Sequence, residues 1–302
     1  MELRQRKGIM KSFLRKQLKK VAYGLLPLER LRFADYAKEW TYPRNLPHGN
    51  HDINVPERYF GHAGIELNAD AQLATLRGWK NLNTNLIESL RKDARINNKA
   101  LGQPYIHNGM YHTPDAEIYA SMIFQHNPRQ IIELGGGFST LIARKTLQLQ
   151  EKPGRLVVID PQPRTGIEDA ADVVIRRFVE DIDLTTLSMS GDTILFIDSS
   201  HVCRAGGDIP LIFCKIIPSL PPGVLVHVHD IFLPFDYPFS YQKLLWNEQY
   251  VLHALLAHAR KFTVVFATHF MTRSYLNEMQ EVFGPAVGVD KDTFGASFWF
   301  RS

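Results

Sequence analysis

The chain has 302 residues, of which 45% are hydrophobic and 22% are charged, and its net charge is +4. This is the composition of an ordinary globular protein, and its length is sufficient to bury a core without disulfide bonds. The two cysteines, Cys203 and Cys214, show no C-x-x-C spacing. They indicate neither a zinc site nor a redox pair, and a cytoplasmic location is expected.

The charge is concentrated at one end of the chain. Residues 1–33 carry ten Lys or Arg and two acids, a net charge of +8, so residues 34–302 sum to about −4. A broad basic groove is therefore not expected, and no nucleic-acid partner is predicted. The chain also shows no apolar run long enough for a secretory signal or for a membrane span of ~20 residues.

The basic N-terminal arm, residues 1–33, has the pattern of an amphipathic helix. Its apolar side chains share one helical stripe, and basic side chains fill the other faces. Two interpretations stay open: a helix on an anionic membrane surface, making the protein membrane-peripheral, or a helix packed on the core or a partner subunit. The stripe consists of Met10, Leu14, Leu18, Val21 and Leu25.

Residues 34–104 are predicted to form a helical and irregular extension that serves as a cap or in oligomerisation, so a homo-oligomer is one expectation. Residues 34–65 are rich in Pro, Asn, His and aromatic residues, which favours irregular structure. Residues 68–98 place leucines and Trp79 at helical spacing, which predicts a helix there.

Residues 105–302 alternate between helix-like and strand-like segments from Pro114 onward, which predicts an α/β domain. Helices are predicted at 114–125, 139–149 and 244–259. Strands are predicted at 130–134, 155–160, 173–179, 193–198, 224–230, 262–267 and 296–300. The fourth strand is apolar until its last residue, which indicates burial on both faces of a sheet.

The first strand leads into the most informative segment, IIELGGGFST at residues 131–140. A strand containing Glu133 is followed by three glycines and the start of a helix. Such a turn receives a nucleotide-type cofactor at a strand–helix crossover, because glycines let the backbone approach a ligand closely. Ser139 and Thr140 are placed to cap the helix or to hydrogen-bond the ligand.

The second strand, RLVVID at residues 155–160, ends in Asp160, a carboxylate suited to accept hydrogen bonds from two ribose hydroxyls. Together with the glycine turn, this pattern resembles the class I S-adenosylmethionine-dependent methyltransferases over about residues 105–302. The resemblance implies a Rossmann-like, seven-stranded, mostly parallel α/β sheet with an antiparallel last strand, preceded here by the N-terminal helical extension. It also implies S-adenosylmethionine as the cofactor.

The resemblance assigns roles to individual residues. Glu133 is expected near the methionine end of the cofactor, Asp160 on its ribose, and Asp181, just after the third strand, on its adenine amine. The predicted cofactor-binding residues are Glu133, Gly135, Gly137, Ser139, Thr140, Asp160, Asp181 and Asp198.

A nicotinamide dinucleotide enzyme is the alternative for this kind of turn. Its fingerprint is G-x-G-x-x-G, but Thr140 stands where the third glycine would be. Glu133 would also repel a pyrophosphate at the start of the helix, whereas it would attract a cationic sulfonium. The pattern therefore favours S-adenosylmethionine.

The fourth and fifth strands are neighbours in this fold, so the residues that follow them should meet at one edge of the sheet. The predicted catalytic residues are Asp198, His201, His229 and Asp230. In one mechanism His201 is a general base that takes a proton from the acceptor. In the other, Asp198, His229 and Asp230 bind a divalent metal that acidifies the acceptor oxygen.

The chain departs from metal-dependent catechol-type relatives, which carry Asp-Asn after the fifth strand, because it has Asp230 followed by Ile231. The missing oxygen ligand disfavours Mg²⁺, and the imidazoles favour an ion such as Fe, Mn or Zn.

The segment HDIFLPFDYP at residues 229–238 resembles a bacterial branch of small-molecule methyltransferases. This resemblance implies methyl transfer from S-adenosylmethionine to a small polar acceptor, at a hydroxyl oxygen. A second hypothesis keeps the fold and cofactor but uses the His/Asp site with a metal for chemistry other than methyl transfer. A third places the function in the arm, as a membrane- or partner-docking protein with an inert sheet.

Overall fold

The computed structural model describes residues 60–61, 64–82, 84–97, 105–164, 166–242, 244–290 and 292–302. The basic arm, with its predicted membrane or subunit contact, and most of the segment predicted to be irregular at 34–65 lie outside the described residues. In the part of the chain that is described, no helix is long and apolar enough to cross a membrane.

A seven-stranded sheet with the strand order β3-β2-β1-β4-β5-β7-β6 forms the centre of the described chain. The first five strands pair in parallel, and β7 lies antiparallel between β5 and β6. This confirms the predicted Rossmann-like α/β fold. The strands are β1 Gln130–Leu134, β2 Arg155–Ile159, β3 Val173–Ile175, β4 Thr193–Ile197, β5 Leu225–Val228, β6 Thr263–Ala267 and β7 Phe298–Arg301.

The third strand is shorter than its predicted range of 173–179. The amide of Arg177 donates to the carbonyl of Ile175 at 3.0 Å, so the backbone turns locally instead of continuing the ladder with β2. A 3₁₀ turn follows at Val179–Asp181.

Helices cover the sheet and supply part of its core. They are α1 Ala69–Leu82, α2 Thr84–Lys92, α3 Asp115–His126, α4 Phe138–Leu147, α5 Asp208–Leu211, α6 Phe239–Gln242, α7 Glu248–His258, α8 Thr268–Ser274 and α9 Leu276–Phe283. The single helix predicted at 68–98 is therefore two helices. The helix predicted at 244–259 begins at Glu248, because Leu245 has a φ of 58°, outside the helical region.

The extension helices α1 and α2 belong to the same core as the sheet. Trp79 is fully buried, donates to the Gln125 amide oxygen at 2.6 Å and packs on Phe266 of β6 at 5.1 Å. Arg91 of α2 pairs with the buried Glu117 carboxylate at 3.0 Å. An ion pair at this depth needs both partners in place, so it fixes α2 against α3.

The strand register brings three chain segments level at one edge of the sheet. Leu134 pairs with Ile197, and Ile197 pairs with Val228. The residues that follow β1, β4 and β5 therefore leave the sheet side by side, which is where parallel α/β sheets bind ligands.

Candidate active site

The glycine turn after β1 packs directly against the end of β4. Gly135 has a φ of +92°, and a Cβ atom built on it would lie 1.9 Å from the carbonyl oxygen of Asp198. No side chain fits at that distance, and non-glycine residues rarely adopt this φ. Gly135 therefore sets how closely the β1 turn and the β4 end approach each other.

Asp160 reaches the same turn from β2. Its Oδ2 atom accepts a hydrogen bond from the amide of Gly136 at 2.9 Å, and its Oδ1 atom accepts from the amide of Gln162 at 2.7 Å. A Cβ atom on Gly137 would meet nothing within 4 Å. The structure thus brings together Asp160 and the glycine turn, beside open space at Gly137.

Glu133, Ser139 and Thr140 lie beneath the turn, where all three side chains are buried. The Glu133 carboxylate accepts hydrogen bonds from the hydroxyls of Tyr119, at 2.9 Å, and Thr140. Burial, with a smaller effect from the charge of Asp198, raises the pKa of Glu133 to about 7. These contacts make Glu133 a support of the turn, and its predicted contact with the cofactor stays a prediction.

Asp181 is exposed in the turn that follows β3. It lines a cavity of about 640 Å³ together with Leu184, Lys215 and Leu220. Neither Asp160 nor the glycine turn lines this cavity. This cavity therefore does not connect Asp181 with Asp160. The predicted contact of Asp181 with the adenine amine stays a prediction.

The ends of β4 and β5 converge as predicted, and four side chains meet there. His201 Nε2 lies 3.2 Å from Asp198 Oδ1 and 3.7 Å from Asp230 Oδ2. His229 Nδ1 lies 3.7 Å and 3.6 Å from the same two oxygens. We call these four residues the His/Asp cluster. The side chains of His201 and His229 are 8% exposed and that of Asp230 is 11% exposed, whereas the Asp198 side chain is 32% exposed, so the cluster opens at Asp198.

Two acidic residues that the sequence did not predict as part of the site hold the far side of each imidazole. Glu248, fully buried at the start of α7, hydrogen-bonds Nδ1 of His201. Asp115, at the start of α3, places Oδ2 3.7 Å from Nε2 of His229 and accepts hydrogen bonds from the amides of Ala296 and Ser297. Both acids look like ordinary first-turn helix residues in the sequence, so no local signal marks them.

The charges of the cluster depend on one another. Burial alone would lower the pKa of both histidines, but nearby carboxylates, chiefly Glu248 for His201 and Asp230 with Asp198 for His229, hold each pKa well above its usual range. Burial raises the pKa of Asp230 and of Glu248. Burial also opposes ionisation of Asp198, but His229 and His201 hold its pKa well below the usual value.

The backbone is strained at two cluster residues. His201 and Asp230 have φ angles of 59° and 58°, in the left-handed region that non-glycine residues seldom occupy. Trp246 covers the His201 ring at 4.1 Å, and Tyr111 covers the His229 ring at 4.8 Å. A strained backbone persists only where the surrounding contacts hold it in place, and such residues often lie at functional sites.

His227, one pleat below His229, differs from the cluster histidines. Both of its ring nitrogens are buried and have no hydrogen-bond partner among the described residues. Phe196 and Trp299 pack on the ring at 4.2 Å and 4.5 Å. Burial lowers its pKa well below the usual range, so His227 is a neutral core residue.

No family model and no curated protein matches this chain. Solved structures give distant neighbours. The O-methyltransferase TomG from Streptomyces achromogenes, involved in tomaymycin synthesis and solved with SAM, is 20% identical, covering 75% of this chain and 97% of that chain with a TM-score of 0.40. An O-methyltransferase from Bacillus cereus in complex with SAH is 15% identical, covering 75% and 98% with a TM-score of 0.37. A likeness this distant assigns no reaction, so the function below is argued from the residues of this chain.

Proposed function

We propose that this protein transfers a methyl group from S-adenosylmethionine to a small polar acceptor, at a hydroxyl oxygen. The observation that carries the proposal is the contact between Asp160 and the Gly136 amide at 2.9 Å, beside the open space at Gly137. It supports the proposal because a carboxylate able to accept ribose hydroxyls lies beside a backbone that a ligand can approach closely, at one edge of the sheet.

The same turn is poorly suited to a dinucleotide. A pyrophosphate would need the free amides at the start of α4. Those of Gly136 and Gly137 already donate, to Asp160 at 2.9 Å and to the hydroxyl of Thr140 at 3.2 Å. The ionised Asp198 carboxylate adds negative charge near the turn where a pyrophosphate would sit, and it favours a cation instead.

The residues present fit a sulfonium cofactor. Gly137 leaves room for it, Asp160 would bind the ribose, and the partly exposed Asp198 carboxylate would face its positive charge. When bound, S-adenosylmethionine supplies an electrophilic methyl group on a positively charged sulfur. The chain's own contribution is to hold the acceptor oxygen at the neighbouring end of β4 and β5, in line with that methyl group.

The acceptor would lie against the His/Asp cluster. With the cofactor held at Asp160 and Gly137, the acceptor oxygen would take up the methyl group, and the electron pair of the cofactor's carbon–sulfur bond would stay on sulfur. The hydroxyl proton must leave, and His201 is the predicted base. Both of its ring nitrogens face carboxylates, which hold the pKa of His201 well above the usual range, so His201 would take the proton only in its neutral form, which alkaline pH favours.

A thermal-shift comparison tests the choice of cofactor. S-adenosylhomocysteine should raise the melting temperature of the full-length protein in a concentration-dependent way, and NAD⁺ should not, because only a ligand that binds the folded state stabilises it. Stabilisation by NAD⁺ in place of S-adenosylhomocysteine would overturn the proposal. The same assay on Asp160→Ala should show a smaller shift.

A further inference from the structure

Three side chains outside the His/Asp cluster come together from two separate loops. His107 and His112 lie in the loop before α3, and Asp292 lies in the turn before β7. One atom from each side chain that can donate an electron pair lies within 4.8 Å of the other two. Ligands bound to one ion at about 2 Å lie roughly 3–4 Å apart, so side-chain movements of about 1 Å would close the three around an ion. We call these three residues the loop site.

The two imidazoles of the loop site lie against each other. Their rings are stacked, with centroids 4.5 Å apart and planes 20° from parallel. Nδ1 of His107 and Nδ1 of His112 are both buried and have no hydrogen-bond partner among the described residues. A buried polar atom without a partner costs free energy, so such atoms in a native structure call for an explanation. Two of them on neighbouring imidazoles indicate a ligand that the two rings share.

The loop that carries the histidines is fixed by other side chains. The amide of Thr113 donates to the carbonyl of Ile106 at 3.0 Å, and the Thr113 hydroxyl accepts from the Ile106 amide at 3.0 Å. Inside the loop, Asn108 Oδ1 accepts from the amides of Met110 and Tyr111 at 3.1 Å and 2.8 Å. The imidazole nitrogens are therefore not needed to hold the shape of this loop.

The turn that carries Asp292 is fixed in a similar way. Asp290 Oδ1 accepts hydrogen bonds from the amides of Asp292 and Thr293 at 2.9 Å and 3.1 Å. The Thr293 hydroxyl accepts from the amides of Val289 and Asp290 at 3.2 Å and 3.1 Å. Asp292 itself is exposed. A carboxylate beside the two imidazoles repels an anion and attracts a cation, so the shared ligand is expected to be a cation.

We propose that the loop site binds one first-row transition-metal ion of the Zn²⁺ class, which links the loop before α3 to the turn before β7. Two imidazole nitrogens and one carboxylate oxygen suit such an ion, whereas Mg²⁺ prefers oxygen ligands. Three protein ligands leave the fourth position of a tetrahedral ion to water. The loop site is separate from the metal predicted at Asp198, His229 and Asp230, which stays a prediction, and it does not depend on the proposed function.

The ion would join two segments that lead to the end of β5. The loop before α3 contains Tyr111, whose ring covers that of His229 at 4.8 Å. The turn before β7 leads to Ala296 and Ser297, whose amides donate to the Asp115 carboxylate at 2.7 Å and 3.0 Å. A metal bound by both segments would therefore restrain the backbone on two sides of His229.

The test is Zn²⁺ binding by the untagged full-length protein after chelation and removal of the chelator. Zn²⁺ is titrated by calorimetry, without cofactor and with excess Mg²⁺ present. We expect a site of micromolar or tighter affinity that Mg²⁺ does not displace, because of the imidazole ligands. Bound Zn²⁺ should also raise the melting temperature, because an ion that binds only the folded state stabilises it.

Substitutions distinguish the loop site from other imidazoles of the chain. His107→Gln and His112→Gln should each weaken the site at least ~100-fold, because each removes a ligand. Asp292→Asn, at an exposed position, should weaken it ~10- to 100-fold. His229→Gln should leave the loop site intact. His258→Gln, at an exposed imidazole at the end of α7, is the matched control and should change neither affinity nor melting temperature.

Three results would overturn the proposal. One is the absence of a Zn²⁺ site that resists Mg²⁺, and another is Zn²⁺ binding that survives both His107→Gln and His112→Gln. The third is a site lost in His229→Gln but kept in His112→Gln, which would place the ion at the ligands predicted after β4 and β5. Circular dichroism identifies any histidine variant that fails to fold. In that case Asp292→Asn decides, and an unchanged affinity in this variant would refute the loop site.

Discussion

The site lies at the edge of the sheet where its parallel strands end, and its two halves, after β1 and β2 and after β4 and β5, are constructed differently. At the β1–β2 half, the Asp160 carboxylate at the end of one strand accepts a hydrogen bond from the Gly136 amide of one continuous turn, Gly135–Gly137. At the β4–β5 half, six side chains from four separate segments converge, and two of them have strained φ angles. A motif that is local in sequence can position a cofactor, whereas the acceptor half depends on the whole fold being assembled.

Gly135 is where the two halves meet, so Gly135→Ala should have the largest effect. The new methyl group would clash with the Asp198 carbonyl, and the φ of +92° is unfavourable for alanine. We expect a loss of on the order of 2–4 kcal/mol in the free energy of unfolding, measured in urea, together with loss of S-adenosylhomocysteine binding.

Gly137→Ala is the matched control, because a Cβ atom there meets nothing within 4 Å. Its free energy of unfolding should stay close to that of the wild type, while its affinity for S-adenosylhomocysteine falls if the cofactor fills that space. Equal destabilisation by both variants would contradict the account of Gly135.

Asp160→Ala should impair only the β1–β2 half of the site. Removing the carboxylate leaves the Gly136 amide and the ribose hydroxyls without their acceptor, so we expect affinity for S-adenosylhomocysteine to fall ~10- to 100-fold by calorimetry. Asp169→Ala, at an exposed acid in the loop after β2, should leave the affinity unchanged. An unchanged affinity in Asp160→Ala would remove the ribose assignment.

Asp115→Asn should affect the β4–β5 half and spare the other. Asn keeps one oxygen for the amides of Ala296 and Ser297 but loses the charge beside His229. We expect a fall of about 1–2 kcal/mol in the free energy of unfolding, with the affinity for S-adenosylhomocysteine unchanged. A large loss of S-adenosylhomocysteine binding would show that the two halves are not independent.

Glu133 supports the turn between the halves, and its effect on stability should depend on pH. Its pKa of about 7 in the folded protein lies above the ordinary 4.5, so the unfolded carboxyl ionises first as pH rises and folding loses stability between about pH 4.5 and 7. Glu133→Gln removes this loss. Urea unfolding should show the wild type losing on the order of 1–3 kcal/mol relative to the variant between pH 5 and pH 8. Parallel pH profiles would contradict this role.

The difference between the halves also explains what could be predicted from the sequence. The strands and the glycine turn have local signals, apolar runs and glycines, so the sheet and the pairing of Asp160 with the turn were predictable. The convergence of Asp198, His201, His229 and Asp230 followed from the expected order of the strands. The helical prediction for residues 68–98 is confirmed by α1 and α2.

The remaining site residues could not be predicted in this way. Glu248 and Asp115 are acids in the first turns of their helices, a position where acids are common on protein surfaces. They become part of the site only because α7 and α3 pack beside β4 and β5. Asp and His adopt the left-handed backbone more often than most residues, but which of them do so here depends on tertiary contacts.

The most direct test of the central claim is a crystal structure of the full-length protein with S-adenosylhomocysteine. We expect the ribose hydroxyls within hydrogen-bond distance of Asp160, the adenosyl group next to Gly137, and the sulfur facing Asp198 of the His/Asp cluster. A ligand bound elsewhere, such as in the cavity lined by Asp181, or with its sulfur directed away from the cluster, would contradict it.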